Sequence, residues 1–257
     1  MSFKTVFFTF SFSLFFFIYS YSQTDSLRER IKIVGVQFGF NSFTGETENL
    51  DKIRANISYF DSQANSLESL LNTAYAGLKF ELRSSNNQFA LSLGLHYSYM
   101  LSSTKEGSAS SSSFFYFLIN DEGTTTEYLR VNELNQAISY VSVPIDFKYF
   151  PNFRSRFRPY INMGLEYSLK LQNKLDVSFY DSSMDSRKEE LANQLINPKS
   201  SCLLINPAIG IELGRGSKPS LGFQMNLPIF VASKEVSSLM TPNLGVGFQL
   251  NFIIPIK

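Results

Sequence analysis

The ionisable residues with a regular spacing are Lys79, Glu81 and Arg83, then Asp146 and Lys148, then Glu166 and Lys170, with Glu212 further on. In a strand, positions i and i+2 share a face, so most of this spacing lines charges up along one side of a sheet. The chemistry it permits is pairing rather than catalysis. The set holds four cations and four anions, and an unpaired charge in a confined interior is costly because its desolvation is not offset. These residues therefore read as an interior charge network. Glu81, Asp146 and Glu166 stand at its centre; Arg83 and Lys170, near strand ends, stand closer to water.

Other reactive side chains are sparse. His96 is the single histidine and Cys202 the single cysteine, so no intramolecular disulfide forms. A metal centre needs several convergent ligands, and His96 reads instead as a hydrogen-bonded filler. Glu189 and Glu190 read as the solvated face of a loop helix, and Gly214-Arg215-Gly216 as a turn. No nucleophile elbow, phosphate loop or zinc spacing occurs. The expectation is no enzyme, no cofactor and no metal. The residual enzymatic reading is a hydrolase at the loop rim, and no residue pattern marks it. With 23 basic and 22 acidic residues, nothing argues for nucleic acid.

The elements that must position the charges alternate strictly. From Gln136 to Leu171 the chain reads as two strands joined by a turn over Pro151–Arg158. Val141, Val143, Ile145, Phe147 and Tyr149 oppose Tyr140, Ser142, Pro144, Asp146 and Lys148. Ile161, Met163, Leu165, Tyr167, Leu169 and Leu171 oppose a face carrying Gly164, Glu166 and Lys170. One face is apolar throughout; the other mixes glycine with full charges. That contrast is the mark of a transmembrane β-strand, apolar toward lipid and polar toward the lumen.

The same pattern recurs in Ile31–Phe43, Thr73–Arg83, Gln88–Leu101, Leu203–Leu213, Ser220–Phe230 and a last strand from Asn243. Eight strands result. Long connections follow the first, third and fifth, a medium one over Val231–Thr241 follows the seventh, and short turns follow the second, fourth and sixth. Even strand number and segregated loops predict an all-β fold, an eight-stranded antiparallel transmembrane β-barrel with long extracellular loops and short periplasmic turns. Both termini are then periplasmic. Within the connections, Ser62–Leu71 and Met184–Ile196 read as short helices. Phe114–Ile119 and Thr124–Val131 read as a hairpin standing on the barrel, with two further wall strands as the alternative.

Residues 1–22 read as a signal peptide and 23–257 as the barrel domain. Lys4 precedes an apolar run, Val6–Ile18, too short to span comfortably as a helix. Ser20 and Ser22 suit a signal peptidase cutting between Ser22 and Gln23. Location follows: the outer membrane of a Gram-negative bacterium.

The strands YVSVPIDFKYF (140–150), RPYINMGLEYSL (158–169) and NLGVGFQLNF (243–252), with the leader ending before Gln23, resemble the PorT-like outer-membrane β-barrel family of Bacteroidetes. The resemblance implies a barrel similar in build to small OmpA- or OmpX-type barrels. Some members of that family take part in type IX secretion and gliding. The partners implied are outer-membrane lipid, the barrel insertion machinery and a protein bound through the long loops. One departure is the end, Ile254-Pro255-Ile256-Lys257. Insertion machinery reads a terminal aromatic in many such proteins, and here Phe252 would have to serve.

Function then divides three ways. A structural or interaction barrel with loops that bind a partner or surface ligand, linked to protein secretion, is the main expectation, because eight strands leave an interior that side chains can fill. A small pore or transport barrel is the alternative. A secreted lipocalin-like barrel would reverse the faces and put charges outside; the glycines beside those charges suit a crowded interior instead.

Overall fold

The structure is a computed structural model that describes residues 31–48, 52–55, 67–106, 114–120, 126–152, 155–214 and 218–256. The signal segment, with Ser22 and Gln23, and the serine run 108–113 lie outside them.

Eleven strands form one antiparallel sheet: β1 (Ile31–Thr47), β2 (Ile53–Ala55), β3 (Leu67–Arg83), β4 (Phe89–Glu106), β5 (Phe115–Asn120), β6 (Thr126–Tyr149), β7 (Phe157–Phe179), β8 (Ser201–Leu213), β9 (Ser220–Asn226), β10 (Ile229–Ala232) and β11 (Met240–Ile256). Backbone pairing runs β1–β3–β4–β6–β7–β8–β9–β11 and returns from β11 to β1. The sheet thus closes into an eight-stranded barrel with no exposed edge in the wall, as backbone groups in hydrocarbon require. The seventh wall strand is interrupted at Leu227-Pro228: β9 and β10 flank the break, and Pro228 has no N–H for the ladder.

The faces follow the alternation. Leu78, Leu95, Ile161, Ile209, Phe248 and Ile254 point out and are more than half exposed, while Lys79, His96, Asn162 and Gln249 are buried. On β7 the outward apolar run from Ile161 to Leu171 covers eleven positions. At about 3.3 Å per residue and a tilt near 40°, it spans roughly 28 Å, close to the apolar band of transmembrane barrels. Among the described residues no helix is long and apolar enough to cross a membrane.

The wall strands outgrow that belt at the long-loop end. β6 begins at Thr126 rather than Gln136, and its first six residues pair with β5. The 114–131 hairpin thus stands on the barrel, and its second arm continues into the wall. The helix expected over 62–71 does not form in its described part, since Leu67–Leu71 opens β3. The Met184–Ile196 helix does form, as a 3-10 turn over Ser182–Arg187 and then α1 (Lys188–Gln194). Phe115, Phe117, Ile119, Leu129, Val131, Val177, Phe179, Leu191 and Leu239 bury one another there. This core lies at the long-loop end, beyond the apolar belt.

Candidate functional site

The lumen is layered. At the short-turn end, β3, β6, β7 and β8 place charges inside. Lys79 Nζ lies 3.0 Å from Asp146 and 3.8 Å from Glu81; Lys148 Nζ lies 3.1 Å from Glu81. Arg83 donates from Nε to Glu81 at 2.6 Å and from Nη2 to Glu212 at 2.8 Å. Arg158 completes the chain on Glu212. Every carboxylate here has at least one cation; Ser92 and Asn162 also donate to Asp146, and Ser220 to Glu212. Phe150, fully buried, seals this end, with the Arg83 and Arg158 guanidinium carbons each 5.3 Å from its ring centroid.

Six of the eight charges expected in the interior therefore meet: Lys79, Glu81, Arg83, Asp146, Lys148 and Glu212. Arg83 is at the heart of the cluster, not at a wet rim. Glu166 and Lys170 stand apart. Lys170 reaches up the wall to the Pro198 carbonyl. Among the described residues, the hydrogen-bond neighbours of Glu166 are hydroxyls, Ser142 and, at 3.5 Å, Ser168. Sequence reasoning missed Arg158 by leaving it in the turn. Its signal was present: 158, 160, 162 and 164 continue the inward parity of β7.

Above the ion pairs lies a layer of amides and hydroxyls. His96 Nε2 meets Gln37 Oε1 at 2.6 Å, Gln37 donates to Asn251, Tyr75 to Gln249, and Tyr160 to Gln224. The tyrosine rings fit because glycines oppose them. A Cβ on Gly39 would lie 2.1 Å from the Tyr75 ring, and one on Gly210 2.4 Å from Tyr160. Among the described residues, two cavities of about 20 and 10 Å³ lie in the lumen, and both touch Glu166 and Asn206.

The next layer is apolar: Phe43, Leu71, Met100, Ile138, Tyr140, Cys202, Leu204, Phe230, Val236 and Met240. Val236 belongs to a strap, residues 233–239, that turns into the mouth instead of arching over it. Tyr140 donates to the Val236 carbonyl at 3.1 Å; Gln136 receives Ser237 Oγ and the Ser238 N–H, both at 2.8 Å. The medium connection expected after strand seven is thus a stopper. Nothing in its composition shows this, because Val236 and Leu239 look like ordinary loop residues until the bore beneath them is seen.

Outside the belt, Asp181 accepts the Ser183 N–H at 3.0 Å, which holds its carboxyl below the usual range. Hydrogen bonds from Arg187 do the same for Glu190 and raise the guanidinium.

The fold and lumen define a class, a small transmembrane β-barrel with a filled bore. No protein-family model and no curated protein matches the chain. Among solved structures it is similar to the outer membrane protein OprG of Pseudomonas aeruginosa, at 11% identity and TM-score 0.42, over 89% of this chain and 95% of that one. It is also similar to the transport unit of the Escherichia coli autotransporter AIDA-I, at 10% identity and TM-score 0.28, over 91% and 92%. A mutant of the TodX monoaromatic hydrocarbon channel gives 6% and 0.20, over 88% and 89%. Likeness at this level transfers no function.

Proposed function

We propose that the protein sits in the outer membrane of a Gram-negative bacterium, termini and short turns in the periplasm, as a small transport barrel that is closed at rest. The observation that carries this reading is how the mouth is closed. The stopper is a single strap, 233–239, held from the lumen side by Gln136 and Tyr140 and at the rim by the Lys199 and Glu48 amides, which donate to the Glu235 and Leu239 carbonyls. Below it lie cavities that already admit water-sized occupants. At the turn end a solute must pass the ion pairs and Phe150, so conductance is low. Current recording in planar bilayers tests this. The wild type should be closed most of the time, and a variant lacking 233–239 should open more often. Silence from a folded strap deletion would overturn the transport reading.

A second reading, an interaction barrel, is favoured by the long-loop layer. Twelve buried residues form a core there, which a pore does not require. The resemblance to PorT-like barrels supports a secretion-linked partner for that face. Crosslinking in the native membrane from Tyr128 or Tyr180, both about half exposed, would capture it; no adduct would count against this reading.

A further inference from the structure

Among the described residues, seven lumenal charges are paired with an opposite charge: Lys79, Glu81, Arg83, Asp146, Lys148, Arg158 and Glu212. Glu166 is not. Its hydrogen-bond neighbours are the Ser142 and Ser168 hydroxyls, and the ionisable groups that line the same two cavities are Asp146, His96, Tyr75, Tyr140 and Cys202. Asp146 is an anion already committed to Lys79. Lys170, two turns of the pleat higher on β7, is held by Pro198. Glu166 is only partly exposed, and a carboxylate enclosed in the bore without a counter-charge is disfavoured.

The larger cavity beside Glu166 also collects oxygens without partners. Asn206 Oδ1 comes from β8, next to β7; Asn41 Oδ1 and Thr73 Oγ1 come from β1 and β3 on the opposite wall. Asn41 and Thr73 are each 7% exposed, so these are buried polar groups left open to the cavity. Asn41 and Thr73 are paired in register, and Asn206 pairs with Gly164, two residues from Glu166. Gly247 leaves the room for Asn41, since a Cβ there would lie 1.9 Å from Oδ1. The cavity is thus lined on its polar side by Glu166 and by three residues that each carry an oxygen without a partner, and on its other side by Phe43, Met100 and Phe230, with space for one water-sized occupant.

We propose that this cavity binds a single small monovalent cation of the sodium type. Glu166 supplies the charge and Asn206 a carbonyl oxygen from one wall; Asn41 and Thr73 face it from the other. Oxygen donors select a hard cation rather than a soft transition metal. A single carboxylate balances one positive charge, and a divalent ion would leave the second uncompensated in a dry interior. The site does not depend on whether the barrel conducts.

The test uses the mature barrel folded in detergent micelles. Urea unfolding is compared in sodium, potassium and choline chloride at equal ionic strength. Binding to the folded state alone raises the midpoint with ligand concentration. The wild-type midpoint should rise with sodium and not with choline, and Glu166→Gln should abolish the rise. Thr73→Val, which keeps shape and removes one oxygen, should weaken it and serves if Glu166→Gln does not fold. Equal midpoints in all three salts would overturn the proposal. So would a sodium response that survives Glu166→Gln, or a midpoint that follows pH but ignores sodium, since Glu166 would then hold a proton.

Discussion

Arg83 donates to Glu212 at 2.8 Å across the full width of the barrel. β3 and β8 are four strands apart in either direction around the ring, so this bond ties opposite walls together. Glu212 also holds Arg158. Replacing it with alanine leaves two buried guanidinium groups short of an anion. Breaking a buried pair from one side costs about 3–5 kcal/mol. Glu212→Ala should lower the urea midpoint in micelles far more than Glu189→Ala, an exposed site on α1 where changes stay within about 0.5 kcal/mol. Equal midpoints would remove the cross-lumen cluster as a source of stability.

The wall was legible in the sequence because lipid imposes a sharp contrast between faces. Val141 to Tyr149 and Ile161 to Leu171 could be assigned to the outside by parity alone. Strand ends were less legible. Beyond the belt the contrast fades, so the start of β3 at Leu67 carried no signal, and nothing showed that the Thr124–Val131 arm runs on into the wall as one strand, β6. Charges could be assigned to the lumen but not to partners, because partner choice depends on stagger around the ring. Glu166 shares parity with Gly164 and Asn162, yet it comes to rest beside hydroxyls, two steps above Asp146. The strap was illegible for another reason: it fills a bore that exists only once the barrel has closed.

Phe150 should matter more than a turn residue ordinarily does. It is fully buried under Ala90 and Tyr160 and lies against both Arg83 and Arg158. Truncating a core aromatic to alanine costs about 3–5 kcal/mol, and the cation–π contacts go with it. Phe150→Ala should unfold at lower urea, and in bilayers it should raise the conductance of the strap deletion by widening the turn end. Phe150→Leu should recover most of the stability. A wild-type midpoint for Phe150→Ala would show that the seal is not structural.

Leu95 faces outward near the middle of the belt on β4 and is 55% exposed in the absence of lipid. Arginine at a bilayer midplane costs roughly 2–4 kcal/mol. Leu95→Arg should reduce folding yield into lipid vesicles, whereas Ser178→Arg, exposed above the belt on β7, should fold as the wild type does. Gel-shift yields report both. Similar losses for the two variants would mean that the belt is misplaced along the strands. Gly164→Ser would not be a mild control, because a Cβ there would meet Asp146 Oδ1 at 2.6 Å.

Acid should loosen the long-loop helix before it disturbs the ring. Asp181 caps the 3-10 turn through the Ser183 N–H, and Arg187 holds Glu190 on the same segment. Both carboxyls titrate below their ordinary range in the folded protein. A depressed folded value means stability that is complete above the unfolded value, about 4 for these groups, and that is lost as pH falls through the folded one. Leu191 stays anchored in the apolar core throughout, so the change should be local fraying rather than unfolding. Amide exchange should show the Ser183 N–H protected near pH 6 and markedly less so near pH 3, with little change at Leu78 or Leu95 in the wall, after correction for the intrinsic rate. Asp181→Ala should expose that amide at both pH values. Protection that is the same at both pH values in the wild type would show that the cap does not hold this turn.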